Sequence, residues 1–186
     1  MAARLEREIK IRFGDPARAR AAVLASGAVP VRPRRLQQDC LLDTPTRLLR
    51  SHRSALRVRT ENGTAVLTYK GPVQVGALKV REEIETQAAD SGPLLEILER
   101  VGFRVWFRYE KYREEFAKGD DVVVAIDETP LGTFVEIEGS ERGVIECADA
   151  LGVARVDFIV DSYRGLFVRH CEERGLQAGD MLFDRV

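Results

Sequence analysis

The sequence predicts an α+β fold in which about eight antiparallel strands are interspersed with four helices. Three observations predict it. Period-two alternation of charged and aliphatic side chains recurs along the chain, as expected of strands with two unlike faces. Several of these segments are joined by hairpin-length connections, Asn62-Gly63 being the clearest turn signal. Apolar stripes of helical period lie between them, led by Ser or Asp-Pro and ended by Gly. The 186 residues (20.9 kDa) fit one domain over 1–186, with a core of about 4–175.

The first strand is Leu5-Glu6-Arg7-Glu8-Ile9-Lys10-Ile11-Arg12-Phe13. One face carries Leu5, Ile9, Ile11 and Phe13, and the other Glu6, Glu8, Lys10 and Arg12. Asp15 and Pro16 then open an Ala-rich helix that Gly27 ends. A second strand is expected over 36–42, preceded by a solvated loop, Arg32-Pro33-Arg34-Arg35, able to steer anions. Residues 46–54, with Arg47, Arg50 and Arg53, form a loop with a short turn. Strands over 55–60 and 64–70 flank the Asn-Gly turn, and a fifth runs over 78–86. A second helix follows from Ser91, with Leu94, Leu95, Ile97, Leu98 and Val101 as its stripe. Strands over 105–116, 121–128 and 134–138 come next. Two further helices start at Ser140 and Ser162 and end at Gly152 and Gly175, and residues 176–186 carry little signal.

Composition narrows the function. Twenty-nine cations nearly balance thirty anions, leaving a formal net charge of -1 and no dominant basic patch of the kind nucleic acid requires. Cys40, Cys147 and Cys171 form no Cys-x-x-Cys pair, and with His52 and His170 alone the usual zinc spacings are missing. Cys147 and Cys171 read as buried small hydrophobes, the two histidines as surface or packing residues, and Trp106 as packing. The start of the chain lacks the apolar segment of a signal peptide, and no run reaches membrane-spanning length, so a cytoplasmic protein is expected.

The charged alternations have one feature in common: their opposite faces are aliphatic. Glu6/Glu8/Lys10, Arg57/Arg59, Lys70, Lys79/Arg81/Glu83/Glu85, Lys111/Arg113, Asp127 and Glu136/Glu138 sum to eight cations and seven acids. Four amphipathic helices need apolar surface to cover. If they cover the aliphatic faces, the charged ones line the inside of a curved or closed sheet. Charge turned inward is costly unless paired, wet or matched by a charged ligand. Arginine and lysine suit phosphate oxygens, and carboxylates two apart on a strand suit Mg²⁺ or Mn²⁺. The pattern fits a phosphate chain with a divalent metal.

With these residues the sequence resembles the CYTH domain family, the triphosphate tunnel metalloenzymes. Glu6-Arg7-Glu8-Ile9-Lys10 matches its Glu-x-Glu-x-Lys. Asp43-Thr44-Pro45, Leu56-Arg57-Val58-Arg59, the Lys70 strand end, Arg81-Glu82-Glu83-Ile84-Glu85, Glu110-Lys111-Tyr112-Arg113 and the stretch from Asp127 to Glu138 follow in order. The resemblance implies an eight-stranded antiparallel β-barrel with a charged lumen and helices packed outside. It implies that Lys10, Arg57, Arg59, Lys70 and Arg113 hold a triphosphate, with Arg81 and Lys111 as further candidates. It implies that Glu6, Glu8, Glu136 and Glu138 serve Mg²⁺ or Mn²⁺, with Asp127 nearby.

The length and Ser162-Tyr163-Arg164 are most similar to the class IV adenylate cyclase branch, which implies conversion of ATP to cyclic AMP and pyrophosphate, and a homodimer. Where that branch often has an aromatic before its Asp-Thr, this chain has Cys40-Leu41-Leu42. Hydrolysis of tripolyphosphate, thiamine triphosphate or a nucleotide uses the same phosphate grip and is the alternative. A non-catalytic polyphosphate- or nucleotide-binding module is a third reading. No general base is identifiable from sequence.

Overall fold

A computed structural model describes residues 4–74 and 76–184. Residues 1–3, where the signal-peptide question arose, lie outside the described residues.

Eight antiparallel strands close into a barrel in the order β1-β5-β4-β3-β2-β6-β7-β8. They are β1 (Arg4–Phe13), β2 (Val29–Asp43), β3 (Ala55–Glu61), β4 (Thr64–Lys70), β5 (Lys79–Ala88), β6 (Arg104–Lys118), β7 (Val122–Thr129) and β8 (Gly132–Glu138). The helices are α1 (Pro16–Ala25), α2 (Leu48–Ser51), α3 (Ser91–Arg100), α4 (Glu141–Ala150) and α5 (Tyr163–Glu172). Asn62 (φ 50°) and Gly63 (φ 82°) make the β3–β4 turn, both in the left-handed region that an Asn-Gly pair tolerates.

Barrel closure follows from two-sided burial. The aliphatic faces pack outward under helices: Ile9, Ile11, Val124, Val135 and Ile137 meet Val23 of α1 and Val144, Cys147 and Ala148 of α4 in one buried cluster. Val58 and Ala65 pack likewise against Leu94, Leu95 and Leu98 of α3. With their apolar faces covered, the strands turn their charged faces inward, and closure leaves no free edge along the ring.

Two expectations are revised. β2 begins at Val29, not at residue 36, and the Arg32–Arg35 run is strand rather than solvated loop. Paired with β6 through two register shifts, it buries Arg35 against Glu61 (2.9 Å) and Glu115 (2.8 Å). α3 begins at Ser91 as expected, and its N-cap is Asp90, whose carboxylate accepts from Gly92 N–H at 2.8 Å.

Nor do all the helices simply cover the aliphatic face. Ile159, just before α5, exchanges two 2.9 Å backbone hydrogen bonds with Lys10, and α5 then lies across one end of the barrel. Tyr163, Phe167 and Cys171 of α5 join Phe107, Tyr109 and Phe134 in an aromatic cluster. The tail completes it: Met181 is fully buried, and its N–H donates to the Arg108 carbonyl at 2.9 Å. Among the described residues no helix is long and apolar enough to cross a membrane.

Candidate active site

Register fixes which charges meet. β1 places Glu6 opposite Arg81 and Glu8 opposite Lys79 on β5, and Glu8 opposite Glu138 and Lys10 opposite Glu136 on β8. Elsewhere around the ring Asp39 of β2 faces Arg59 of β3, and Arg113 of β6 faces Asp127 of β7. All of these alternate with the outward aliphatic residues, so all project into the lumen.

Nearly every charge there is paired. Lys10 is 2% exposed and bridges Glu8 (2.9 Å) and Glu136 (3.0 Å), while Lys79 also sits on Glu8. Lys70 binds Glu6 (2.8 Å) and Glu83 (2.6 Å), residues brought to it across two strand boundaries. Arg59 donates to Asp39 at 2.9 Å, and Arg57 lies 3.5 Å from Asp39 and 3.4 Å from Glu85. Asp127, with no exposed surface, accepts from Lys111 (2.8 Å), from Arg113 (2.7 and 2.6 Å) and from the Tyr163 hydroxyl (2.7 Å). Arg113 reaches Glu136 as well.

Arg81 is buried (7% exposed), and its Nε, like that of Arg57, has no hydrogen-bond acceptor. Burial holds its guanidinium below the ordinary arginine value in spite of Glu6, Glu8 and Glu83. A buried donor left unused is costly, and an acceptor-rich ligand would satisfy it.

The carboxylates divide into two groups. Burial opposes ionisation of Glu8, Glu136 and Asp127, but adjacent cations outweigh it: Lys10 and Lys79 for Glu8, Lys10 and Lys111 for Glu136, Arg113 and Lys111 for Asp127. All three are held below their ordinary values. Glu138 goes the other way, to about 7, through burial and then the carboxylates of Glu6, Glu8 and Glu83. Glu6 is raised by burial and by Glu8. Glu6 and Glu138 are therefore short of positive charge, which a divalent cation beside them would supply, and oxygen donors of this kind fit Mg²⁺ or Mn²⁺. Among the described residues no three acidic, His or Cys side chains converge as a metal cluster, because Lys10 and Lys70 are interposed. Asp127 faces three donors beside Glu136, with which it shares Arg113.

Sequence reasoning missed several lumen residues. Gln37 (2% exposed), Asp39 (1%) and Arg35 continue the inward face of β2; the alternation Arg35-Gln37-Asp39 was a usable signal once the strand's start is moved back. Tyr163 has no such signal, since it enters from a helix. Its ring lies under Lys10 (5.3 Å) and Lys111 (5.0 Å). Burial, then Asp127, pushes its phenol well above the ordinary value. Lys111 is pulled down to about 8 by burial and by Arg113, and burial lowers Lys79 as well.

Comparison with known proteins adds family context to this geometry. The CYTH domain family model matches residues 4–152. A Methanocaldococcus jannaschii protein named "Putative adenylate cyclase" is 30% identical over 176 residues, 87% of this chain and 99% of that protein. The PH1819 protein of Pyrococcus horikoshii superposes with a TM-score of 0.73 at 28% identity, covering 89% of this chain and 99% of that one. A Hippeastrum protein, HpAC1, named "Putative adenylyl cyclase" and described as having a dominant triphosphatase activity, shares the fold. Its TM-score is 0.65 at 21% identity, covering 93% of this chain and 97% of that one.

Proposed function

Because this chain belongs to the CYTH domain family, we propose that it is a divalent-metal-dependent enzyme that binds a triphosphate substrate in its barrel lumen and converts ATP to cyclic AMP and pyrophosphate. The observation that carries this is the set of cations on the inner wall of one closed barrel: Lys10, Arg57, Arg81 and Lys111, which are buried, and Arg59, Lys70 and Arg113, which are half-buried. In the free protein most of them rest on carboxylates. A triphosphate offers more negative charge and more acceptor oxygens than any one carboxylate, so it competes for the same donors, and Arg81 gains an acceptor it lacks.

Glu6, Glu8 and Glu138 would hold the metal, with Glu136 beside them. Bound there, a divalent cation would neutralise charge on the phosphate oxygens and fix the polyphosphate's orientation. Asp127 serves better as an organiser than as a ligand: seated by the Tyr163 hydroxyl, it holds Lys111 and Arg113 in place for the phosphates. Cyclisation joins the ribose 3′ oxygen to the α-phosphorus, breaks the α–β bridge and releases pyrophosphate. The lumen cations stabilise charge on the leaving group as that bond breaks.

The second reading is hydrolysis, in which water attacks the terminal phosphorus of a nucleotide, tripolyphosphate or thiamine triphosphate. The triphosphatase activity described for the Hippeastrum protein favours it, since the same cations would serve. Purified protein offered ATP, tripolyphosphate and thiamine triphosphate with Mg²⁺ or Mn²⁺ separates them. Cyclic AMP with pyrophosphate supports cyclisation; orthophosphate without cyclic AMP rules it out in favour of hydrolysis. If divalent-dependent turnover of all three is absent, or survives Glu136→Ala unchanged, the catalytic assignment is wrong.

A further inference from the structure

The two ends of the barrel treat their arginines differently. At the end carrying the β3–β4 turn, Arg35 sits on Glu61 and Glu115 at 2.9 and 2.8 Å. At the end carrying the β2–β3 connection, two arginines converge on one indole. The guanidinium carbon of Arg50 is 4.1 Å from the Trp106 ring centroid and that of Arg164 is 4.6 Å away.

One carboxylate serves this pair. Asp43 accepts Arg50 Nε at 2.9 Å, and its oxygens also take the backbone N–H groups of Thr44 (2.8 Å), Leu49 (2.9 Å) and Arg50 (3.1 Å). That fixes the Arg50 guanidinium and leaves its terminal nitrogens without an acceptor among the described residues. Arg164 has neither hydrogen bond nor ion pair among the described residues. Burial, then the nearby Arg50 charge, lowers its pKa. Arg47 and Arg53 add two more cations to the same connection.

Beside Arg164 a cavity of about 350 Å³ opens between β6, α5 and the tail, walled by Trp106, Phe107 and Val168. Its one acid, Asp180, is turned to Arg108: it accepts that residue's N–H at 2.7 Å and lies 4.0 Å from its guanidinium.

We propose that Arg50 and Arg164 form a second oxyanion site, outside the lumen, that takes a phosphate group against Trp106. Guanidiniums stacked on an aromatic ring keep their N–H edges free, and two such edges match a tetrahedral dianion better than a chloride. Arg164 directly follows Tyr163, the residue that seats α5 on Asp127, so occupation would tie α2 to the first turn of α5. The proposal does not depend on which triphosphate chemistry the lumen performs.

Trp106 is the only tryptophan, so its emission reports on the site directly. Inorganic phosphate is titrated at constant ionic strength against sodium chloride, into the wild-type protein, Arg57→Ala (a lumen change) and Arg164→Gln. Expected is a saturable emission change in wild type that persists in Arg57→Ala and weakens about tenfold or more in Arg164→Gln, as loss of a charge-assisted hydrogen bond requires. If Arg164→Gln does not fold, Arg164→Lys, which keeps the charge but loses the fork, must weaken phosphate several-fold. The proposal is overturned if wild type gives no saturable change, if the change vanishes in Arg57→Ala and survives in Arg164→Gln, or if Arg164→Lys binds with wild-type affinity.

Discussion

Replacing Lys10 with methionine removes the cation shared by Glu8 and Glu136 while keeping a side chain of similar length. Lys10 is 2% exposed, its pairs are 2.9 and 3.0 Å long, and both carboxylates are held well below their ordinary values. Breaking a buried pair from one side costs about 3–5 kcal/mol, because the remaining charge stays buried. For a chain of this length each kcal/mol moves the melting midpoint by about 2–4 °C, so a fall of about 6–20 °C is expected at pH 7.5.

The sign of the pH dependence follows from the same groups. In wild type, depressed Glu8 and Glu136 contribute stability that is present above about 4.5, the unfolded value, and lost as pH falls through their folded values. In the variant, burial is opposed by fewer cations, both carboxyls rise, and protonation at pH 5 relieves part of the cost. The gap between variant and wild type should narrow from pH 7.5 to pH 5. Thermal melts followed by far-ultraviolet circular dichroism measure both. A loss below about 3 °C at pH 7.5, less than one pair's worth, or an equal gap at the two pH values, refutes the reasoning.

Other outcomes follow from individual contacts. Tyr163→Phe keeps the ring but deletes the 2.7 Å hydrogen bond to buried Asp127, so a loss of about 1.5–3 kcal/mol is expected in denaturant titration. Glu138→Gln acts in the opposite direction. Its carboxyl, pushed up to about 7 by burial and by Glu6, Glu8 and Glu83, makes metal-free wild type lose stability as pH climbs from about 4.5 through about 7. The variant should therefore melt higher than metal-free wild type at pH 8, while any stabilisation by Mg²⁺ or Mn²⁺ shrinks; a lower melt at pH 8 would contradict the crowding of carboxylates. Asp39→Asn removes the buried carboxylate charge shared by Arg57 and Arg59. The free protein should lose about 3 kcal/mol, yet tripolyphosphate should raise its melting midpoint more than it raises wild type's, because the two arginines no longer have the charge of Asp39 to give up.

Much of the site was legible because strand alternation is a local property. Glu6, Glu8 and Lys10 share a face wherever β1 goes, and the same holds for Arg57 with Arg59 and for Lys111 with Arg113. Aliphatic opposite faces plus amphipathic helices then left the interior as the place for those charges. The signal failed at the start of β2, where Pro30, Pro33 and three arginines look like a loop. Pairing with β6 overrode that local preference and brought Arg35 into contact with Glu61 and Glu115.

Local pattern was enough to show which residues line one face of most strands, where most helices begin and end, and that the charges suit a phosphate chain with a metal. Who pairs with whom came from the folded barrel. Lys70 meets Glu6 from 64 residues away because β5 lies between their strands in the ring. The same closure separates Asp127, clamped by Lys111, Arg113 and Tyr163, from the crowded Glu6/Glu8/Glu138 corner, although all of these acids looked alike in sequence. That α5 would close one end with Tyr163 was decided there too. The physical reason is that alternation sets the direction of a side chain relative to its own strand, whereas its electrostatic partner is set by strand order and register around the barrel.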